Sequence, residues 1–370
     1  MKKNNILLVL ATLFLSVHNL AVSAEIPSHV SWTVVGAGPT GILTVGIILD
    51  HGVSPDKILW IDPEFSVGRM GKLYQDVPGN GTVRQYIALL EKCKAFSEVK
   101  TPAIDLLYSL HPDQAPQLKL IVDPFLDITN HLRTKVVALQ DEMTGLDCHN
   151  DIWTIKTNAA TIQSDYVVLA TGAHPRVMQY EGITQIPLDL ALNKEALAKQ
   201  VEPSDRVLVI GSGHSALLIV KYLTELSVAH ITNLYKKQIV YPVPTRLGIV
   251  WQEAGLKGEV ATWAKTLRMN PPENFVRIYN TPDVLQSCLA ECTKVICAVG
   301  FERNELPMIN GDDSLYLNYD RSSGIIAPRC FGVGIAFPQQ KVDPIGNVEN
   351  LVGLPYLHFD ALIEALNEDM

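Results

Sequence analysis

Apolar runs that end in glycine or aspartate alternate with amphipathic stretches near the start of the chain. Residues 32–35 form an apolar run that ends at Gly36, and residues 42–49 continue as an apolar helix. A second apolar run, residues 58–61, ends at Asp62. Short continuous apolar strands are typical of a parallel sheet that is covered on both faces. The pattern therefore predicts a strand–helix–strand unit over residues 31–62.

The same pattern starts again later in the chain. Residues 206–210 form an apolar strand that ends at Gly211, residues 216–226 form a helix, and residues 230–235 form the next strand. Two dinucleotide-binding folds in one chain would explain this repetition. We predict an α/β fold with two Rossmann-like three-layer domains, the second of which (residues 201–300) is inserted in the first (residues 25–200 and 301–370).

Other segments complete this outline. Apolar runs predict buried strands at residues 166–170 and 294–299, and alternation predicts hairpin strands at residues 153–155 and 161–162. Helical periodicity predicts helices at residues 82–96 and 355–366. The rest of residues 63–160 shows mixed patterning, and we make no prediction for it.

The first glycine turn has the spacing of a dinucleotide-binding motif, GxGxxG. Gly36 permits the tight turn, Gly38 lets the backbone approach a pyrophosphate, and Gly41 lets the helix pack on the strand. The helix N-terminus offers free N–H groups to the phosphates. Asp62, at the end of the second strand, can accept the hydroxyls of an adenosine ribose. Together these features predict a bound dinucleotide.

The second glycine turn reads GxGxxA, with Gly211, Gly213 and Ala216. The strand that follows ends in NLYKK and has no carboxylate to bind a free ribose. Lys236 and Lys237 stand there instead and would attract a 2′-phosphate. This pattern favours NADPH over NADH, while the alternative is that both lysines are merely solvated.

Composition narrows the class of protein. The chain has 370 residues, of which 47% are hydrophobic, so it can form a sizeable core rather than a disordered chain. Its formal net charge is −9, and no basic run is present that would attract nucleic acid. The histidines show no metal-binding spacing, so we predict no metal site.

The first 24 residues have the pattern of a secretory signal peptide. Lys2 and Lys3 precede an apolar run at residues 6–15, and residues 21–24 offer small residues for cleavage. The apolar run is too short for a comfortable membrane span, so none is expected after cleavage. We therefore predict an exported protein, periplasmic or secreted. A misassigned start codon would instead make it cytoplasmic.

Two further segments allow a family resemblance to be named. Residues 170–173 read ATGA and end a buried strand, and residues 298–301 read AVGF. The two glycine turns and these two segments follow one another along the chain in an order that resembles the two-dinucleotide flavoproteins. These are the pyridine nucleotide-disulfide oxidoreductases and the flavin-containing monooxygenases. Residues 60–63, with Gly71, residues 77–78 and Asn80, resemble an uncharacterised bacterial FAD/NAD(P)-binding branch.

This resemblance implies that the first motif binds FAD and the second binds NADPH or NADH. The residues that would bind FAD are Gly36, Gly38, Pro39, Thr40, Gly41, Asp62, Thr171, Gly172 and Gly334. The residues that would bind the nicotinamide cofactor are Gly211, Gly213, His214, Ser215, Ala216, Lys236 and Gly300. Residues 332–336 lack the Gly-Asp pair that the family places beside the flavin.

The sequence also lacks the chemistry of some family members. A disulfide reductase needs two cysteines beside the flavin, and no CxxC is present. Four residues separate Cys292 from Cys297, but Cys297 lies in an apolar strand, so we interpret both as structural thiols. The FxGxxxH pattern of the monooxygenases is missing too. His174 and His214 are the histidines that could meet a cofactor, and no catalytic side chain is assigned.

The resemblance implies an FAD-dependent NAD(P)H oxidoreductase that passes hydride from NAD(P)H to FAD and onward to an unknown acceptor. That acceptor would be a small molecule or a small protein. Two alternatives stay open: a flavin-dependent monooxygenase of a small substrate, and a non-catalytic FAD- or nucleotide-binding sensor. Because the same fold hosts many functions, fold alone does not choose between them. A homodimer is also left open.

Overall fold

The computed structural model describes residues 26–252, 254–351 and 359–368. In these ranges the chain forms two main sheets with helices packed on them. The strands are β1 (His29–Val35), β2 (Ile58–Ile61), β3 (Val137–Leu139), β4 (Met143–His149), β5 (Ile152–Thr157), β6 (Thr161–Leu169), β7 (Ala173–Pro175), β8 (Thr184–Gln185), β9 (Arg206–Ile210), β10 (His230–Tyr235), β11 (Val243–Thr245), β12 (Gly248–Val250), β13 (Phe275–Tyr279), β14 (Lys294–Cys297), β15 (Phe301–Arg303), β16 (Ile325–Ala327), β17 (Cys330–Gly332), β18 (Gln339–Val342) and β19 (Val348–Leu351).

The helices differ widely in length, from one turn to four. They are α1 (Pro39–Asp50), α2 (Gly68–Leu73), α3 (Val83–Leu90), α4 (Pro102–Ser109), α5 (Lys119–Arg133), α6 (Leu188–Ala191), α7 (Lys194–Ala198), α8 (His214–Glu225), α9 (Gly258–Met269), α10 (Pro282–Glu291), α11 (Ser314–Leu317) and α12 (Asp360–Glu368). Among the described residues, no helix has the length and apolar character to span a membrane. The predicted signal peptide lies outside the described residues, as does the start of the predicted helix at residues 355–366.

The first sheet has eight strands around a parallel centre. Its order is β16-β17-β6-β1-β2-β3, and β5 and β4 continue from β6 as an antiparallel hairpin. Strand β1 pairs in parallel with β2 on one side and β6 on the other. The carboxyl ends of these strands therefore lie at one edge of the sheet, beside the N-terminus of α1, where open α/β sheets bind ligands.

The second sheet has five strands, all of them parallel. Its order is β13-β10-β9-β14-β8, with β9 at the centre. Strand β8 joins this sheet although it precedes residue 201, where we place the domain boundary from sequence. Two strands, β7 and β15, pair in antiparallel fashion and connect the two sheets.

The sequence patterns match much of this architecture. The first strand–helix–strand unit and the second are both present, and β9 and β10 have the expected bounds. The expected fold class, two Rossmann-like α/β halves, is confirmed. Two separate strands were expected at residues 161–162 and 166–170, and the structure instead has one continuous strand, β6, because its polar residues alternate with buried ones.

Helix α5 was not predicted from sequence. Pro124 lies inside it, and an internal proline normally breaks or kinks a helix by removing one N–H donor. The helix has a continuous buried face formed by Ile121, Phe125, Ile128 and Leu132. Packing of that face against the first core outweighs the local cost, as is usual for helices in proteins.

The two halves share part of one hydrophobic core. Tyr74, Val77 and Leu118 come from the first half of the chain but pack in the cluster around α8 and α9. Asn80 adds polar contacts, since its Nδ2 donates to Gly255 O (3.2 Å) and its Oδ1 accepts from Lys257 N (2.8 Å). Packed side chains and hydrogen bonds therefore connect the two halves.

The packing of α1 against the turn at residues 94–96 can be tested at Gly46. A Cβ at this position would lie 2.6 Å from the Phe96 ring and 3.0 Å from Cys93 Sγ. We expect Gly46→Ala to lower the free energy of unfolding by about 1–3 kcal/mol through overpacking, although alanine has the higher helix propensity. Chemical denaturation measures this directly.

The matched control is the double variant Gly46→Ala with Phe96→Leu. Because the smaller side chain relieves the overlap, its loss of stability should be clearly less than the sum of the two single losses. Strict additivity would show that the two sites do not contact each other as described.

Candidate functional site

The first glycine turn depends on two close backbone approaches. Gly36 has φ = +108°, and a Cβ there would overlap the carbonyl oxygen of Ala170 at the end of β6. A Cβ on Gly41 would overlap the Gly36 carbonyl oxygen. Trp60 on β2 donates from Nε1 to that same Gly36 oxygen (2.9 Å). The turn thus brings α1 tightly onto the strand ends, as the motif predicts.

The middle glycine of the turn faces open space. A Cβ on Gly38 would have no atom within 4 Å. Its φ of −70° is accessible to any residue, so backbone conformation does not require glycine here. Helix α1 begins at the next residue, Pro39, and has no side-chain cap. Free N–H groups and an open surface together suit the pyrophosphate of a dinucleotide.

Asp62 organises the loop after β2. Its Oδ2 accepts from Ala37 N (2.7 Å), and its Oδ1 accepts from Glu64 N (2.8 Å) and Phe65 N (2.6 Å). A carboxylate offers about four acceptor positions, so one on Oδ2 is left for a ribose hydroxyl. Asp62 therefore stabilises the turn as well as facing the site.

The loop that Asp62 holds has an unusual backbone. Phe65 and Val67 have φ of +52° and +62°, and a bulky or β-branched residue rarely adopts this left-handed conformation. Both side chains are buried, and Phe65 packs edge-on against Trp60 at 5.0 Å. Strain of this kind persists where the surroundings over-determine it, often at ligand sites. The loop brings Gly68 against Gly38 at the mouth of the site.

The segment after β6 supplies the opposite wall. Thr171 Oγ1 is buried and has no hydrogen-bond partner among the described residues. The Thr171 carbonyl accepts from Asn304 Nδ2 (2.8 Å), and Asn304 Oδ1 faces His174 Nδ1 (3.1 Å). His174 Nε2 lies 3.2 Å from Glu302 Oε1 on the paired strand β15. These contacts join the wall of the site to the connection between the halves.

The late glycine segment lies against the start of α1. Gly334 has φ = +75°, and a Cβ there would lie 2.6 Å from Thr40 Oγ1. Arg303 fixes this segment by donating from Nε to Ala336 O (2.9 Å), with its guanidinium over the Phe337 ring at 4.0 Å. The neighbouring residues Val333 and Ile335 line the cleft, although the segment lacks the Gly-Asp pair of the family pattern.

These pieces enclose a cleft of about 650 Å³ that runs along the end of the first sheet. This volume falls in the range of small-molecule and cofactor sites. Predicted residues that line it are Gly36, Gly38, Pro39, Thr40, Asp62, Thr171 and Gly172. Gly41 and Gly334 do not line the cleft but pack against Gly36 and Thr40, which do. Residues that sequence reasoning missed include Arg69, Met70, Leu73, Tyr74, Asp141, Met143, Asn304 and Leu306.

A polar network connects two residues of the cleft lining, Arg69 and Tyr74, to helix α6, which packs in the core around α8 and α9. Tyr74 donates from its hydroxyl to Asp189 on α6, and Arg69 pairs with the same carboxylate. Arg69 Nε also lies 3.1 Å from the Tyr74 hydroxyl. Burial, followed by the bond to Asp189, raises the pKa of Tyr74, so the phenol stays protonated. No local sequence pattern predicts this network, because Asp189 is more than 100 residues away in sequence from Arg69 and Tyr74.

The second glycine turn repeats the geometry of the first. A Cβ on Gly211 would overlap the Ala298 carbonyl oxygen, and a Cβ on Gly213 would meet nothing within 4 Å. Ala216 is fully buried in the position of the third glycine. Asn233 replaces Trp60 as the donor to the turn, with Nδ2 to Gly211 O at 2.8 Å. The second turn is therefore equally open for a dinucleotide.

The other residues assigned to the second cofactor are spread along this edge. His214 and Ser215 begin α8, directly after the turn. His214 Nε2 is buried without a partner among the described residues, and burial, with a smaller effect of Lys257, lowers its pKa to about 4. Lys236 is exposed just past β10. Gly300 follows β14 with φ = +100°, and its carbonyl accepts from Arg176 N (3.0 Å) at the connection.

The cysteines lie away from the cleft. All six are free, and none lines it. Burial raises the pKa of every one, to about 12 for Cys93 and about 11 for Cys297. A thiol with a raised pKa is a poor nucleophile and redox group. Cys292 and Cys297 are among the cysteines that do not line the cleft.

Three features of the cleft residues suit an FAD molecule. The open face of Gly38 and the start of α1 suit the pyrophosphate, the remaining acceptor of Asp62 suits the ribose, and the unpartnered Thr171 hydroxyl offers a polar contact. The open face of Gly213 and the unpartnered His214 Nε2 suit a second dinucleotide in the same way.

Substitutions at two glycines of the first turn separate binding from folding. Gly38→Val places its side chain in open space, so we expect FAD retention to fall at least tenfold while the unfolding midpoint of the FAD-free protein is unchanged. Gly41→Ala, which meets the Gly36 carbonyl, should instead destabilise the protein itself by about 1–3 kcal/mol. Flavin absorbance after gel filtration and thermal denaturation measure the two effects. Full flavin occupancy in Gly38→Val would contradict this assignment of the turn.

Comparison with known proteins places this site in context. A family model described as "Pyridine nucleotide-disulphide oxidoreductase" matches residues 30–326. A "Monooxygenase AgnR1" from Paecilomyces divaricatus is 27% identical over 377 aligned positions, which cover 88% of this chain and 95% of that protein.

Solved structures show the same fold at low sequence identity. A bacillithiol disulfide reductase from Staphylococcus aureus has 14% identity and a TM-score of 0.54, covering 93% of this chain and all of that one. A flavin monooxygenase from Stenotrophomonas maltophilia has 14% identity and a TM-score of 0.57, covering 93% and 98%. The expected resemblance is confirmed. The chain belongs to the pyridine nucleotide-disulphide oxidoreductase family, within the superfamily of flavin-dependent oxidoreductases and monooxygenases.

Proposed function

We propose that the protein is an FAD-dependent NAD(P)H oxidoreductase that transfers hydride from NAD(P)H to FAD and then to an acceptor outside the chain. The observation that carries this proposal is the pair of matched glycine turns. In each turn, a Cβ on the first glycine would overlap a carbonyl oxygen, whereas a Cβ on the second would meet no atom within 4 Å. Each turn lies at the carboxyl end of parallel strands. One sheet with its turn would bind one dinucleotide, so two turns support two cofactors.

The chain's own residues would bind and orient these cofactors. A bound FAD supplies reversible acceptance of a hydride, which no protein side chain provides. Gly38 and the start of α1 would hold phosphates, and Asp62 would accept from the ribose. The shared packing of Tyr74 and Leu118 excludes water from one side of the cleft.

Electrons would leave the cleft without passing through a cysteine of this chain. The cysteines are absent from the cleft lining, and their thiols are held protonated by burial. This arrangement supports an acceptor that reaches the cleft itself, in contrast to a relay through a cysteine pair.

A monooxygenase of a small substrate is the second candidate. The relative that matches 88% of the chain carries that name. The cleft wall also has an apolar part formed by Met70, Leu73, Leu118, Phe301 and Leu306, which would suit a small organic molecule. Both candidates share the reductive half of the reaction and differ in the acceptor.

The first experiment is a visible spectrum of FAD-loaded protein before and after anaerobic addition of NADPH, then NADH. We expect the flavin band to bleach. The matched control is Gly213→Val, which blocks the open face of the second turn at a φ of −87° that valine adopts. It should keep its flavin and lose at least tenfold in bleaching rate. A flavin that neither nucleotide reduces would support the sensor alternative, and protein that cannot bind FAD would refute the proposal.

The acceptor is tested under air with ¹⁸O₂ and a panel of small organic substrates. Substrate-stimulated oxidation of NAD(P)H with labelled oxygen in the product would identify a monooxygenase. Oxidation that needs an added electron acceptor and gives no labelled product would identify a reductase.

Alkylation of the thiols provides an independent prediction. Treatment of the native protein with N-ethylmaleimide at pH 7 should leave anaerobic flavin bleaching by NAD(P)H within about twofold of the untreated rate, because thiols with a raised pKa react slowly and none lines the cleft. Mass spectrometry counts the modified cysteines. Loss of turnover in step with modification of one cysteine would show that a thiol takes part.

A further inference from the structure

Arg277 is a half-buried cation without an anion among the described residues. Its Nε and Nη2 are both buried and have no hydrogen-bond partner among the described residues. No ion pair in the described part of the chain includes it. Burial lowers the pKa of this guanidinium, which reflects the cost of the charge there. Buried N–H groups without an acceptor cost free energy, and a ligand that supplies acceptors there would remove that cost.

The position of Arg277 relates it to the second glycine turn. Arg277 is on β13, directly opposite Asn233 on β10. Asn233 is the residue whose side chain donates to the Gly211 carbonyl. The guanidinium lies 4.2 Å from the centre of the Tyr235 ring, at the last residue of β10. Arg277 is therefore one strand away from the turn and reaches toward the edge of the sheet where a nucleotide would bind.

Two lysines lie at the end of β10, next to the Tyr235 ring that Arg277 contacts. Lys236 and Lys237 follow Tyr235, and both are exposed with no ion pair among the described residues. The strand end has no carboxylate that would repel an anion.

We propose that Arg277, together with Lys236, forms the binding site for a phosphate on the 2′ position of an adenosine ribose. This inference rests on the proposed function, because it assumes that the second turn binds a nicotinamide nucleotide. The planar guanidinium would form charge-assisted hydrogen bonds with phosphate oxygens while it stays stacked on Tyr235. The ligand's charge would offset the burial cost of Arg277, so the site selects NADPH over NADH.

Calorimetry with adenosine 2′,5′-bisphosphate and with ADP tests the site without any catalysis. We expect full-length wild type to prefer the 2′-phosphorylated ligand. Arg277→Met should weaken binding of adenosine 2′,5′-bisphosphate by about 10- to 100-fold, the effect of one or two charge-assisted hydrogen bonds. Binding of ADP should change by less than about threefold. Lys236→Met should show the same selectivity with a smaller loss.

A thermal shift distinguishes this role from a structural one. Methionine fills a similar volume and removes the uncompensated charge, so the melting temperature of ligand-free Arg277→Met should equal or exceed that of wild type. The matched control is Arg206→Met at the opposite end of the same sheet, where Arg206 pairs with Glu291 at 3.3 Å. It should leave both ligand affinities unchanged.

Three outcomes would overturn the proposal. Equal loss of affinity for both ligands in Arg277→Met would show that the arginine serves the 5′-phosphates or the fold. Unchanged affinity for both would remove it from the site, and a large fall in the melting temperature would show that it is structural. Because calorimetry does not use the flavin, failure of FAD reduction would count against the proposed function and not against this site.

Discussion

The structure depends on the absence of side chains at two backbone crossings. In the first turn, Gly36 lies directly against the Ala170 carbonyl, and Gly41 lies against Gly36. These contacts allow α1 to begin at the strand ends with its free N–H groups facing the cleft. A single added methyl group at either position would push the helix away from the sheet. The strand order of the first sheet, the start of α1 and the wall at Thr171 all meet at this point.

The second glycine turn has the same backbone contacts as the first but different side-chain donors. Gly211 approaches Ala298 as Gly36 approaches Ala170, and Gly213 is as open as Gly38. The supporting donors differ: an indole N–H from Trp60 in one half and an amide from Asn233 in the other. The backbone geometry is therefore kept, whereas the side chains that stabilise it are exchangeable. The residue that follows the second strand of each unit also differs: Asp62 follows β2, whereas Lys236 follows β10.

The features of the fold and site that could be predicted from sequence are those that depend on residues close together in the chain. Gly36, Gly38 and Asp62 were recognisable because their roles depend on spacing within one strand–helix–strand unit. The network of Arg69, Tyr74 and Asp189 was not, since it joins residues far apart in the chain. Arg277 was hidden for the same reason: only strand pairing brings it opposite Asn233. Helix α5 was missed because tertiary packing outweighs the local signal of Pro124.

The shared core has a consequence for how the molecule could be divided. Tyr74, Val77 and Leu118 belong to one half by their place in the chain and to the other by their packing. Cutting the chain at the connecting strands β7 and β15 would expose an apolar surface on each fragment. Either half produced alone would tend to aggregate, so neither glycine turn belongs to a module that can be transplanted without this interface.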